Sequence, residues 1–298
     1  FLLTNFIGDP VDMLVPENAT LEQIESARAR LGLDKPLPVQ YGIFIRDVLH
    51  GNFGKSYIYG KPAMDLIFER MPATLELVAV AACLVLCIAI PLGVYAGAYP
   101  KRASSKLIMS GSILGISLPS FWVGMMMIYI FAVVLRLLPA SGRGNTVMVG
   151  NVALSIFAPG GIRYVILPAI TLALTNVATM LRLTRSGILE NMRQDYIKFA
   201  RAKGVPAKSI LFGHALKNAL IPVVTIFGMD LGNMIAFTTI TETIFAWPGM
   251  GKLLIDAINK SDRPIIVAYL MAAACMFVVL NFIVDILYTL IDPRIELR

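Results

Sequence analysis

Asp230 and Asn233 are the residues of greatest chemical promise in this chain of 298 residues, because both are polar and both stand inside an apolar run. One helical turn separates them, so a helix brings them to neighbouring positions on its surface. A carboxylate is expensive to place in hydrocarbon and as a rule faces a bundle interior or an aqueous path. Asp230 and Asn233 are therefore candidates for lining a pathway. The competing reading is a helix–helix hydrogen bond to a residue such as Asn176 or Asn281. Asp285 stands near the end of the last apolar run, where an interfacial place or a basic neighbour suits it better. The two aspartates fall at different apparent depths and lack an accompanying motif such as Gly-x-Gly-Asp, which argues against an intramembrane enzyme. Glu76, near the expected start of another apolar helix, reads as a first-turn acid favoured by the helix dipole.

Other chemistries find little support. Cys83, Cys87 and Cys275 all fall in apolar runs, and the only histidines are His50 and His214, so packing is expected of the thiols and no metal site of the chain. GNFGKS at 51–56 ends like a phosphate-binding loop, but Leu49 occupies the position of its first glycine; GMGK at 249–252 has Ala246 there and Leu253 in place of the magnesium-binding Ser or Thr. The sequence thus predicts no catalytic residue and no bound cofactor in this chain.

The elements that must position Asp230 and Asn233 are membrane spans. Hydrophobic residues make up 57% of the chain and charged ones 15%, with a mean hydropathy of +0.74, which is too apolar for an ordinary soluble domain. A crossing takes about 20 apolar residues, and full candidates lie near 73–99, 107–135, 164–181, 218–241 and 265–290. The opening FLLTNFIGDP reads as the last turns of a further apolar helix, so six spans are expected, the first truncated, with residues 1–7 as its end; a short interfacial segment is the alternative. Residues 8–72 then form an outer loop, with a Thr20/Gln23 capping box, an apolar stripe ending at Gly32 and a second helix from Pro38 to Leu49. Residues 73–298 form the core. Pro91, Pro119, Pro168 and Pro222 interrupt spans and are expected to shape them.

Charge orients this arrangement. The segments 101–106, 182–217 and 292–298 hold thirteen Lys and Arg against four Asp and Glu, whereas 8–72 holds seven against nine and 242–263 three of each. The positive-inside rule puts the first set in the cytoplasm, and with it the amino terminus of the full-length protein. The net charge of +7 is then a topology signal, and no nucleic-acid partner is expected.

Between two of these spans lies YIKFARAKGVPAKSILFGHALKNALIP, residues 196–222. Gly204 suits a left-handed helix stop, and Pro206 suits the first turn of the next helix. Met192, Tyr196, Phe199 and Ala200 fall on one side, with Arg193, Lys198, Arg201 and Lys203 around the rest, which makes a short basic amphipathic helix fit to dock a protein.

ARAKG at 200–204, followed by HALKNALIP at 214–222, resembles the EAA loop of binding-protein-dependent ABC importer permeases, in the form found in the oligopeptide/dipeptide/nickel family. LGLDKPLPVQYG at 31–42, GNFGKSY at 51–57, PATLEL at 72–77, ETIFAWPGMGKL at 242–253 and DPRI at 292–295 are similar to that family's other signatures, in the same order. Two positions depart from the general loop: Lys198-Phe199 stands for Glu-Ala, and Leu216-Lys217 for Leu-Pro, with Pro222 arriving later. Both departures fit the peptide/nickel branch. The resemblance implies an all-α polytopic fold, the type I ABC importer transmembrane domain, with cytoplasmic coupling helices at about 188–217. It implies ATPase coupling through Tyr196, Phe199, Ala200, Arg201, Ala202, Lys203 and Gly204, and makes Phe245 and Trp247 candidates for an external gate; an interfacial anchor is the other reading of Trp247.

The implied partners are a second homologous permease, two cytoplasmic ATPase subunits that hold the ATP and Mg, an extracytoplasmic substrate-binding protein and the lipid bilayer. The implied location is the bacterial cytoplasmic (inner) membrane, and the implied cargo a peptide, with nickel chelate or glutathione as alternatives. A secondary transporter or channel would instead call for an internal inverted repeat and a cluster of intramembrane charges.

Overall fold

A computed structural model describes residues 11, 15, 20–30 and 33–291. The expected end of a first span at 1–7 and the DPRI motif lie outside the described residues, as does the side chain of Asp285. Among the described residues, ten helices of eight residues or more follow in order: α1 Leu21–Arg30, α2 Leu37–Leu49, α3 Ala63–Ala98, α4 Ala103–Ser117, α5 Ser120–Met127, α6 Ile162–Asn191, α7 Asp195–Ala202, α8 Leu216–Ile244, α9 Met250–Asn259 and α10 Arg263–Ile291. A π-helical stretch, Ile128–Val134, prolongs α5, and a short turn with a second π-helical stretch, Ile210–Ala215, leads into α8. Between α5 and α6 the strands Val147–Val149 (β1) and Val152–Leu154 (β2) pair antiparallel about Gly150, whose φ of 62° supplies the left-handed turn position.

Among the described residues, four helices are long and apolar enough to cross a membrane: Ala63–Ala98, Ile162–Asn191, Ala207–Ile244 and Arg263–Val284. The run expected to cross as one span at 107–135 is instead a pair, α4 and α5 with its extension, bent by 105°. Pro119 is the cause. Its ring pushes the preceding residue out of the helical region, and Leu118 accordingly sits at φ −87°, ψ 130°. Pro72, Pro91, Pro168 and Pro222 remain inside helices. α3 starts at Ala63 and runs without a break across residues 72 and 73. Outside the bundle, Thr20 and Gln23 form the expected reciprocal cap: the Thr20 amide donates to Gln23 Oε1 at 3.0 Å and the Gln23 amide to Thr20 Oγ1 at 3.4 Å.

The core is the seam between α3 and α6, closed by α8. Leu77, Ala81, Val85 and Ala89 of α3 meet Val165, Ala169, Ala173 and Met180 of α6, with Val223 and Met234 of α8 and the ring of Trp247. Small residues set the spacing. A Cβ on Gly93 would stand 2.6 Å from Thr184 Cβ, and one on Gly97 2.7 Å from Ile188 Cβ, so α3 and α6 approach as closely as their backbones allow. Bulky apolar side chains such as Phe121, Tyr129, Phe237 and Phe282 face outward, as lipid and neighbouring spans require.

Candidate functional site

The basic end of the bundle carries α7 as a fixed projection. Its first turn starts after Gln194, and its last is closed by the expected glycine stop: the Gly204 amide donates to Arg201 O at 2.9 Å and the Val205 amide to Ala200 O at 3.1 Å, with Gly204 at φ 78°. This double bond is the Schellman arrangement, which needs a left-handed residue. Ile197 anchors the helix, fully buried in a cluster with Val94, Ile188, Ile210, Ala215 and Ala219 that joins α3, α6 and α8. Tyr196 adds a polar tie: its hydroxyl donates to Asn191 Oδ1 at 2.8 Å and accepts from Asn218 Nδ2 at 3.0 Å, linking the end of α6 to the start of α8. Motion of α7 therefore reaches three spans.

The rest of α7 is open. Phe199 is 62% exposed, Arg201, Ala202, Lys203 and Gly204 are exposed, and Ala200 is half-buried. Lys203 Nζ lies 4.5 Å from the centre of the Phe199 ring, so an apolar knob and a cation form one surface. Ile197, which the sequence grouping left out, is the residue that packs inward, while Tyr196 and Phe199 of that grouping stay exposed. Nothing stands within 4 Å of a Cβ on Gly204, so only its backbone conformation constrains that position.

On α8, Gly228 and Gly232 pack against Val284 and the Phe277 ring of α10. Asp230 and Asn233 sit on the other side of the helix, the first partly and the second well exposed. Asn176 Nδ2 is directed to Leu172 O in its own helix, at 3.4 Å.

At the opposite end, Phe245 and Trp247 are 1% and 0% exposed. Trp247 Nε1 donates to Ala73 O at 2.9 Å and the ring lies in the central core, which replaces the interfacial-anchor reading. The turn they occupy is held by Glu242, fully buried. Its Oε1 accepts from Thr74 Oγ1 at 2.6 Å and its Oε2 from the Lys252 amide at 3.0 Å, while Thr74 Oγ1 accepts from the Met250 amide at 2.9 Å. A carboxylate thus caps α9 from the end of α8, where the positive end of the helix favours it.

Glu76 is a second such clasp. It stands in the middle of α3 instead of its first turn, and its carboxylate accepts from Arg143 Nη2 at 2.6 Å, the Ser155 amide at 2.7 Å and the Ile156 amide at 2.6 Å. A third joins Ser56 Oγ to Asp262 Oδ2 at 2.5 Å, so GNFGKSY serves to fasten the outer segment to the start of α10. Tyr57, whose amide also reaches Asp262, has its phenol pushed up from the usual range, chiefly by burial. The sequence reading missed these partners because they are 67 to 206 residues apart. Gly93 and Gly97 were within reach of it, as a Gly-x-x-x-Gly in an apolar run.

An apolar bundle with an anchored basic helix at one end and buried polar clasps at the other is a membrane permease of the type I ABC importer fold. A chain of the inward-facing MetNI methionine ABC transporter shares that fold, with a TM-score of 0.61 over 77% of this chain and 97% of the other at 15% identity. The chain belongs to the family described as binding-protein-dependent transport system inner membrane component, which matches residues 89–297; the N-terminal region of such membrane components matches 1–78. It is 37% identical to the probable D,D-dipeptide transport system permease protein DdpB of Escherichia coli K12, over 99% of this chain and 91% of the relative. It is 39% identical to the oligopeptide permease AppB of Bacillus subtilis and 38% to the di/tripeptide permease DppB of Pseudomonas aeruginosa, in both cases over 97% of this chain and 90% of the relative.

Proposed function

We propose that this chain forms half of a peptide translocation pathway in a bacterial cytoplasmic membrane, pairing with a second homologous permease and receiving cargo from an extracytoplasmic binding protein. Two ATPase subunits supply the ATP and Mg, and α7, on the cytoplasmic side, seats in them. The observation that carries this reading is α7 itself, exposed through Phe199 and Arg201 to Gly204 and anchored by Ile197 to three spans. A ligand shifts a conformational equilibrium only through unequal contacts with its two states, and a rigid helix tied to several spans converts ATPase closure into such contacts. Peptide cargo is favoured over nickel chelate or glutathione by the relatives named for dipeptides and oligopeptides. In this reading Asp230 and Asn233 line the path, and the turn bearing Phe245 and Trp247 closes its outer end.

The test is uptake by liposomes holding the complete complex with ATP inside, with the binding protein outside, against a panel of di- and tripeptides, nickel chelate and glutathione. ATP-dependent uptake of a peptide is expected. Uptake that proceeds without the ATPase subunits would instead make the chain a secondary transporter or channel.

A further inference from the structure

A cleft of about 490 Å³ opens between the end of the π-helical stretch after α5 and the start of α6. Arg136 and Arg163 both line it, together with Asn145 and Tyr164. No Asp or Glu occurs between Glu76 and Glu190, so the connection from α5 to α6 and the first turn of α6 hold Arg136, Arg143 and Arg163 with no acid of their own. Glu76, the acid that reaches this region, is engaged by Arg143. Arg163 Nη2 donates to Leu137 O at 2.7 Å, and among the described residues no carboxylate pairs with Arg163 or Arg136. Arg136 is moreover held at φ 52°, a conformation that costs a side-chain-bearing residue energy.

The start of α6 sharpens the imbalance. This helix of 30 residues begins without a capping side chain or an acid in its first turn, and Arg163 occupies that turn. A cation beside the positive end of a helix is unfavourable, whereas an anion there is stabilised. Exposed Val133, Val134, Leu135, Leu137 and Ile162 surround the same place, so hydrocarbon reaches the rim of the cleft.

We propose that this cleft binds a phosphate oxyanion, that of an anionic phospholipid headgroup whose acyl chains lie along the neighbouring apolar side chains. The two guanidinium groups supply fork-shaped donors to the phosphate oxygens, which is the geometry arginine offers and lysine does not.

The test is retention of phosphatidylglycerol by the complete transporter complex in detergent, measured as lipid phosphorus per complex, for the unaltered protein, Arg136→Gln and Arg163→Lys. Arg136→Gln alters an exposed side chain and should leave assembly intact while weakening retention about ten-fold. Arg163→Lys keeps a donor for Leu137 O but loses the fork, and should fall between the two. Phosphatidylcholine should be retained less than phosphatidylglycerol by the unaltered protein. Equal retention by all three proteins would overturn the site. Displacement of the lipid by inorganic phosphate would assign the cleft to a soluble anion and overturn the lipid. Unchanged retention with loss of binding-protein stimulation in Arg136→Gln would make it a protein-docking surface, again against the proposal.

Discussion

Replacing Glu242 by alanine should release α9 from the end of the bundle. The substitution strips the acceptor from Thr74 Oγ1, which is closed to water, and from the Lys252 amide, which is part-buried. A buried donor left without a partner costs about 1–3 kcal/mol, and removing a negative charge from a helix N-terminus costs up to about 2 kcal/mol more in a buried setting. Relief from burying a carboxylate offsets part of this, so a net loss of about 2–4 kcal/mol in the docking of α9 is expected. Glu242→Gln keeps one acceptor but turns an amide donor toward Thr74 or Lys252, and should cost about half as much. Because about 1.4 kcal/mol is a factor of ten, amide exchange across Met250–Asn259 should speed up by at least about ten-fold in Glu242→Ala. Hydrogen exchange read by mass spectrometry on the assembled complex measures this, with the Gln variant in between. Unchanged exchange in Glu242→Ala would refute the clasp.

Gly97→Leu should lower the thermal stability of the complex by the equivalent of about 1–3 kcal/mol or more, since its Cβ would meet Ile188 Cβ at 2.7 Å and Arg185 O at 3.0 Å; Gly111→Ala, with nothing within 4 Å, should be harmless in the same melting assay. Asp230→Asn should preserve complex yield while altering uptake rate or its dependence on peptide charge, whereas a structural role would leave Asp230→Asn silent and make Asp230→Leu lower the yield by about 0.6–2 kcal/mol; wild-type behaviour of both would make Asp230 a bystander. A cysteine at Ser104 should react with an impermeant thiol reagent only after the membrane is opened and one at Ser141 in intact cells, both positions being exposed; the reverse pattern would invert the orientation.

What the sequence made legible were features settled within a few residues. The Thr20/Gln23 box, the Gly204 stop and most of the long apolar runs depend on local hydrogen bonding, backbone conformation and side-chain transfer, and each appears at its expected place. In the run at 107–135 hydropathy marks an apolar stretch but not its shape: Pro119 bends it by 105° between two helices. In α7 the helical period marks an amphipathic helix, whereas its anchor Ile197 is set by contacts with Val94, Ile188 and Ile210, which the local sequence does not reveal. Glu76, Glu242 and Asp262 mark the limit of local reading. Each looks like an isolated acid in the chain and becomes a fully engaged group only when Arg143, Thr74 and Ser56 arrive from other elements.

The coupling role of α7 is tested most directly by cross-linking from Phe199→Cys in the complete complex. The side chain is exposed at the tip of a helix whose anchor, Ile197, is untouched by the change, so the bundle should assemble as before. A short thiol-reactive linker should join it to an ATPase subunit, with a yield that changes between nucleotide-free and ATP-bound states, while the same linker at Ser141→Cys should give no such product. Failure of Phe199→Cys to reach an ATPase in either state, in a complex that still hydrolyses ATP and transports, would contradict the assignment of α7 as the coupling helix.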